Sequence, residues 1–218
     1  MPEVKPAAET RRARSARLTR RRILDAAHTL FVEQGYAATT IQQIAEKADV
    51  AWQTVYSVFG NKPAVLSAVF DVTVVGDDEP VPMLQRPFVK QIDQEPDPRA
   101  KMRILARHLR ATGERTSAIL SVIESAAGTD PEIAQVWRTL QDQRRYGMGA
   151  AARGFHEAGI LRDGLGVDQA ADLLWFFSGP WAYRGLVAAR GWTPDDFETW
   201  VAETLTTQLL RVTPQQTP

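Results

Sequence analysis

A chain of 218 residues with 44% hydrophobic content can bury one large core or two modest ones, and its zero cysteines exclude a disulfide scaffold and a thiolate zinc site. The formal net charge of zero conceals an asymmetry: residues 1–62 hold 10 Lys and Arg against 6 Asp and Glu, and the remainder holds 16 against 20. A basic first part suited to a polyanion is therefore followed by an acidic remainder. The longest uncharged apolar run of the later half, Leu173 to Tyr183, is too short to span a bilayer, and no apolar signal core follows the basic N-terminus, so no membrane contact and a cytoplasmic location are expected.

Residues 1–18, with Pro2, Pro6, Arg11, Arg12, Arg14 and Arg17, lack apolar periodicity and read as a disordered basic arm, either a solvated tail or a segment that follows phosphates. The first helix is predicted to start near Thr19, to align Ile23, Ala26, Ala27, Leu30 and Phe31, and to end at Gly35. Arg20, Arg21 and Arg22 at its first turn oppose the helix dipole, which points to an anionic partner and makes Arg22 a candidate phosphate contact. Next, Ile41, Ile44, Ala45, Ala48, Val50, Val55 and Phe59 suit two short helices crossing over one small core with a tight turn at residues 48–50, a helix-turn-helix. Thr39 and Thr40 each precede a Gln by three residues, so either register makes a capping box. The second of these helices opens at Ala51 or Trp52 and carries Trp52, Gln53, Thr54, Tyr56 and Ser57, side chains suited to base edges and phosphates. Gly60 closes it, and Asn61 and Pro63 open the next helix, with Val65, Leu66, Val69 and Phe70 as its buried face.

Residues Ile23-Leu24-Asp25-Ala26-Ala27, Leu30-Phe31, Gly35-Tyr36, Thr39-Thr40-Ile41, Ile44-Ala45, Ala48, Val50, Thr54-Val55-Tyr56, Phe59, Lys62 and Leu66 make the stretch resemble the DNA-binding domain of the TetR family of transcriptional regulators. The family often has Gly where Asp49 stands and Ser where Ala51 stands. Asp tolerates the left-handed turn, whereas Ala at an N-cap forfeits about 1 kcal/mol. The resemblance implies an all-α fold, with a three-helix DNA-binding domain at residues 19–66 and a helical ligand-binding and dimerisation domain at 67–213. It also implies that Tyr56 and Lys62 touch phosphates.

Residues 76–98 are acidic and Pro-rich and read as a long irregular connection. Helical patterns follow at 98–113, 116–127 and 131–158, the last opened by Asp130-Pro131 and ended by Gly159. A helix from Asp168 to about Arg190, apolar nearly all round and kinked at Gly179-Pro180, precedes a final one opened by Thr193-Pro194. In the family this pair forms a four-helix dimer interface, which assigns Trp181, Leu186, Phe197, Trp200, Val201 and Leu205 to contacts with a second copy.

The DNA-facing candidates are therefore Arg22, Thr39, Thr40, Trp52, Gln53, Thr54, Tyr56, Ser57 and Lys62. A ligand pocket is expected within residues 98–190, lined by Trp137, Tyr146, Trp175 and Phe176, with Gln141, Arg144, His108 or Glu124 as polar anchors; ordinary core is the competing role for each aromatic. The expected function is a ligand-responsive regulator, a repressor, that holds a palindromic double-stranded operator as a homodimer and is released by a small hydrophobic or aromatic effector. A constitutive or architectural DNA-binding protein is the alternative. His28, His108 and His156 show no metal spacing, and no nucleophile elbow or phosphate loop is present, so neither catalysis nor a cofactor is expected.

Overall fold

The computed structural model describes residues 11–79 and 81–211, which form ten α-helices and no strand. The chain divides into two compact units, Met1–Val72 and Thr73–Pro218, so the predicted boundary at 66/67 moves a few residues along the fourth helix.

In the first unit, α1 (Arg11–Ala38) begins well ahead of the predicted start at Thr19. Arg, Ala and Leu are good helix formers and no Gly or Pro interrupts residues 11–18, so the helix nucleated by the amphipathic stretch extends backwards. The disordered arm is thereby corrected for residues 11–18; its first ten residues lie outside those described. Gly35, at φ 81°, interrupts α1 where its position predicted an end. For α2 (Ile41–Lys47) one of the two capping registers forms: the Thr40 hydroxyl accepts from Gln43 N at 3.2 Å and Gln43 Oε1 accepts from Thr40 N at 2.8 Å. The turn to α3 (Trp52–Phe59) passes through Asp49 at φ 51°, the left-handed conformation that Asp tolerates, and Ala51 caps α3 with no side-chain bond. Gly60 closes α3, and Asn61 Oδ1 accepts from Ala64 N at 2.8 Å to open α4 (Lys62–Val75). Ile23, Phe31, Ile44, Val55, Val65 and Leu66 make the fully buried centre.

In the second unit the predicted irregular connection contains α5 (Pro87–Gln94). Pro87 stands where proline favours a helix start, and Arg86 organises the loop before it, bonding Asp77 at 2.6 Å and the Glu79 and Val81 carbonyls at 3.1 Å. This guanidinium holds the Asp77 carboxyl below its usual range. Two predicted helices, 98–113 and 116–127, are one, α6 (Pro98–Ala127). Gly113 lies within it and leaves room for the Tyr183 ring: a Cβ there would sit 2.4 Å from Tyr183 Cγ. Then come α7 (Pro131–Glu157), capped by Asp130, and α8 (Val167–Phe177); the Gly179-Pro180 break leads to α9 (Pro180–Tyr183) and one π-type turn, Arg184–Ala188. Thr193 caps α10 (Pro194–Leu209). The core gathers Met102, Phe155, Leu174, Tyr183, Phe197, Val201, Leu205 and Leu209 from α6, α7, α8, α9 and α10.

Phe197, Val201 and Leu205, predicted to meet a second copy, are instead 0–2% exposed within the subunit's own core. The apolar helices find their partners in the same chain, α8 against α7 and α10, and α10 against α6. Among the described residues no single helix is long and apolar enough to cross a membrane.

Candidate nucleic-acid interface and effector site

α3 presents the polar and aromatic surface predicted for it. Val55 is wholly buried and anchors the helix, while Trp52 and Tyr56 are 49% and 44% exposed and meet edge-on with ring centroids 5.6 Å apart. Gln53 and Ser57 are exposed and Thr54 is half-buried. Two large aromatics held at a helix surface, beside an amide that can bond an adenine edge, fit a major groove.

Other predicted contacts are committed within the unit. With α1 starting at Arg11, the three arginines fall inside the helix and each finds a protein partner: Arg20 lies 4.8 Å from the Phe59 ring, Arg21 pairs with Asp25 at 3.0 Å, and Arg22 donates to Asp49 O at 2.9 Å and Oδ2 at 3.0 Å. Arg22 therefore does not stand at a helix N-terminus against the dipole, and its side chain braces the turn ahead of α3. Thr39 is fully buried and its hydroxyl donates to Gly35 O at 2.8 Å, so it faces no partner, and the Thr40 hydroxyl serves its capping box. Lys62 Nζ donates to Tyr36 O and Thr39 O, both at 2.9 Å, and lies 4.0 Å from the Tyr36 ring centroid. It ties α4 to the end of α1. Lys62→Met leaves two carbonyls without their donor and is expected to destabilise the protein by about 1–3 kcal/mol in urea titrations; an unchanged midpoint would contradict that role.

In the second unit Trp137, Gln141 and Arg144 share one face of α7. The Arg144 guanidinium lies 4.7 Å from the Trp175 ring centroid and 4.6 Å from that of Trp181, the two rings meet at 5.1 Å, and Arg144 Nη2 donates to Trp175 O at 2.8 Å. Arg144 Nε and Nη1 and Gln141 Oε1 are buried without a hydrogen-bond partner among the described residues. Burial, with no opposing carboxylate, lowers the Arg144 pKa to about 10, which leaves it protonated at neutral pH. Of the predicted ligand residues, Arg144 and Trp175 thus meet, with Trp137 and Gln141 on the same face of α7, and Trp181, predicted for the dimer interface, joins them. The Gly179-Pro180 kink folds its indole back over Gly179, where a Cβ would lie 2.1 Å from the ring.

The remaining ligand candidates lie elsewhere. Tyr146 is 67% and Phe176 54% exposed, so neither lines an interior. Glu124 is paired with Arg184 at 2.6 Å. Two open depressions, about 290 Å³ beside Leu161 and Arg211 and about 380 Å³ beside Trp192 and Trp200, contain none of the predicted ligand residues. His108 stacks flat on Phe88 at 3.6 Å, and burial, aided by the Arg115 charge, lowers its pKa to about 4. Its neutral form is thus the one that folds. Above the ordinary value of 6.5 it makes no pH-dependent contribution; as pH falls from 6.5 towards 4 the unfolded chain takes up a proton that the native one refuses, and stability is lost. The expected loss is as much as about 3 kcal/mol, read from urea midpoints at pH 7 and 4.5, and smaller by that amount in His108→Leu.

The family model described as bacterial regulatory proteins, tetR family, matches residues 23–69, the stretch from α1 through most of α4. The HTH-type transcriptional regulator YdeS of Bacillus subtilis (strain 168) is 30% identical over 171 residues, 78% of this chain and 79% of that protein. Among solved structures, NalD, the secondary repressor of the MexAB-OprM multidrug efflux pump in Pseudomonas aeruginosa, is 22% identical with a TM-score of 0.67, over 89% of this chain and 98% of that one. A SmeT–triclosan complex is also 22% identical, with a TM-score of 0.66 over 92% of this chain and 97% of that one. The helix-turn-helix and the relatives that share it make this chain a member of the TetR family, DNA-binding transcriptional regulators.

Proposed function

We propose that this regulator is a ligand-responsive repressor that works in the cytoplasm as a homodimer on a palindromic operator. The observation that carries the reading is α3, pinned by buried Val55 and displaying Trp52, Gln53, Tyr56 and Ser57. Two copies related by a twofold axis would set two such helices about one DNA turn apart, in successive major grooves. Pairing is supported by an aromatic stripe at the surface of α8, α10 and the turn ahead of α10: Phe176 meets Phe177 at 5.3 Å, Phe177 meets Trp200 at 6.2 Å and Trp200 meets Trp192 at 6.1 Å, with Phe176 and Trp192 exposed. Exposed apolar patches of this kind mark association surfaces. Leu186 and Trp200 remain half-buried and open to such contact.

The effector would bind at the Gln141, Arg144 and Trp175 region and act through α4, whose last carbonyls, Thr73 O and Val74 O, accept from Arg115 of α6 at 3.0 and 2.8 Å. Release follows from the effector's preference for the conformation that binds DNA less well. That the NalD structure is of a repressor and the SmeT structure holds triclosan agrees with this reading.

The test is selection of duplexes from a random pool by the purified protein, followed by fluorescence anisotropy and sedimentation. A palindromic consensus bound by two copies is expected. Binding without sequence preference would leave an architectural protein, and sequence-specific binding that no small molecule relieves would leave a constitutive one.

A further inference from the structure

Resting on the effector reading above, we infer that the ligand of the second unit is an organic anion, a carboxylate on a flat apolar body, whose acid group docks on Arg144. Arg144 is a half-buried residue whose charged group has its Nε and Nη1 atoms buried, and no ion pair joins it among the described residues. Its charge interacts with the faces of Trp175 and Trp181. A stacked ring attracts a guanidinium but leaves its in-plane N–H groups unbonded, and only Nη2 has an acceptor, the Trp175 carbonyl. Nε and Nη1 therefore keep N–H groups turned to no acceptor, an arrangement unfavourable for a buried charged donor.

A group that answers these N–H donors is consequently negative and rich in acceptors. A carboxylate answers both needs, since charge-assisted bonds to Arg are the stronger kind. The same geometry disfavours a cationic ligand, because the Trp175 and Trp181 ring faces that would receive it already hold the Arg144 guanidinium. A neutral apolar ligand would cover the rings and leave the N–H groups as they are. Gln141, one turn before Arg144 on the same face, holds an amide oxygen buried without a donor, which suits a hydroxyl or N–H placed beside the acid. Trp137, half-buried two turns before Arg144, and Met148, one turn after it, extend the face in apolar character for the ligand's body.

The experiment compares matched acids and amides, benzoate with benzamide, salicylate with salicylamide and 1-naphthoate with 1-naphthamide, by calorimetry and quenching of tryptophan fluorescence on the full chain. At least one acid is expected to bind at millimolar concentration or below and at least about tenfold more tightly than its amide. Arg144→Gln, with folding verified by circular dichroism, abolishes that preference, and Arg144→Lys, which keeps the charge, retains part of it. Equal binding of acid and amide, an acid preference that survives in Arg144→Gln, or no binding by any of the acids overturns the inference. The same titrations repeated on the protein–DNA complex separate the two readings: an acid that binds through Arg144 yet leaves DNA affinity unchanged supports the anion site and overturns the effector role, whereas DNA release by the amides alone overturns the anion site and supports effector control.

Discussion

Replacing Trp52, Gln53 and Tyr56 together by Ala should abolish sequence-specific DNA binding, a loss of about a thousandfold or more against a duplex selected by the unaltered protein, while affinity for a scrambled duplex changes little. The three side chains stand on the exposed side of α3 and the buried anchor of that helix, Val55, is untouched. Folding should therefore survive, with a stability cost near the 1 kcal/mol expected for losing one edge-on aromatic pair. Because the exposed Arg11, Arg12 and Arg14 of α1 are retained, the dependence of binding on salt should keep most of its slope. Anisotropy titrations on both duplexes at several salt concentrations provide the measurement. A triple variant that still prefers the selected duplex would remove α3 from the recognition surface.

Phe197→Ala is expected to destabilise the protein by about 3–5 kcal/mol, the range for a phenylalanine removed from a packed core. Its ring is 2% exposed, 5.0 Å from Tyr183 and 5.9 Å from Trp200. The result discriminates between two placements of this residue. Inside its own subunit, its loss lowers the urea midpoint of the folded unit itself. At a contact between copies, its loss would instead yield a folded monomer that sediments at half the mass. Denaturation at several protein concentrations, with sedimentation of the variant, decides the matter.

The features that were legible in the sequence are those settled within a few residues. Thr40 with Gln43, Gly35, Gly60, Gly159 and Thr193-Pro194 announce helix ends because a cap or a positive φ depends on near neighbours. The helix-turn-helix belongs here too, since its core repeats at short spacing. What escaped depends on residues far apart in the chain. Nothing near Lys62 reveals that its ammonium will meet the carbonyls of Tyr36 and Thr39, and nothing near Arg22 reveals Asp49. The stretch from Asp168 to about Arg190 reads as apolar nearly all round, and periodicity alone cannot say whether the covering face belongs to the same chain or to another. The gathering of Trp181 with Arg144 and Trp175 depended on the direction of a kink whose position, though not its sense, was visible at Gly179-Pro180. The helix at Pro87–Gln94 was hidden by an acidic, proline-rich composition in which Pro87 marks a start rather than a break.

The unadorned entry to α3 has one further consequence. With only a methyl group at Ala51, the leading amides of the reading helix receive no side-chain oxygen, and its first turn is held by the Thr54 N to Ala51 O bond at 2.9 Å. That turn lacks the side-chain cap that α2 has, and a phosphate oxygen drawn against it would complete what the sequence leaves undone. In the proposed complex the nucleic acid would then serve as the absent end-piece of the helix that reads it.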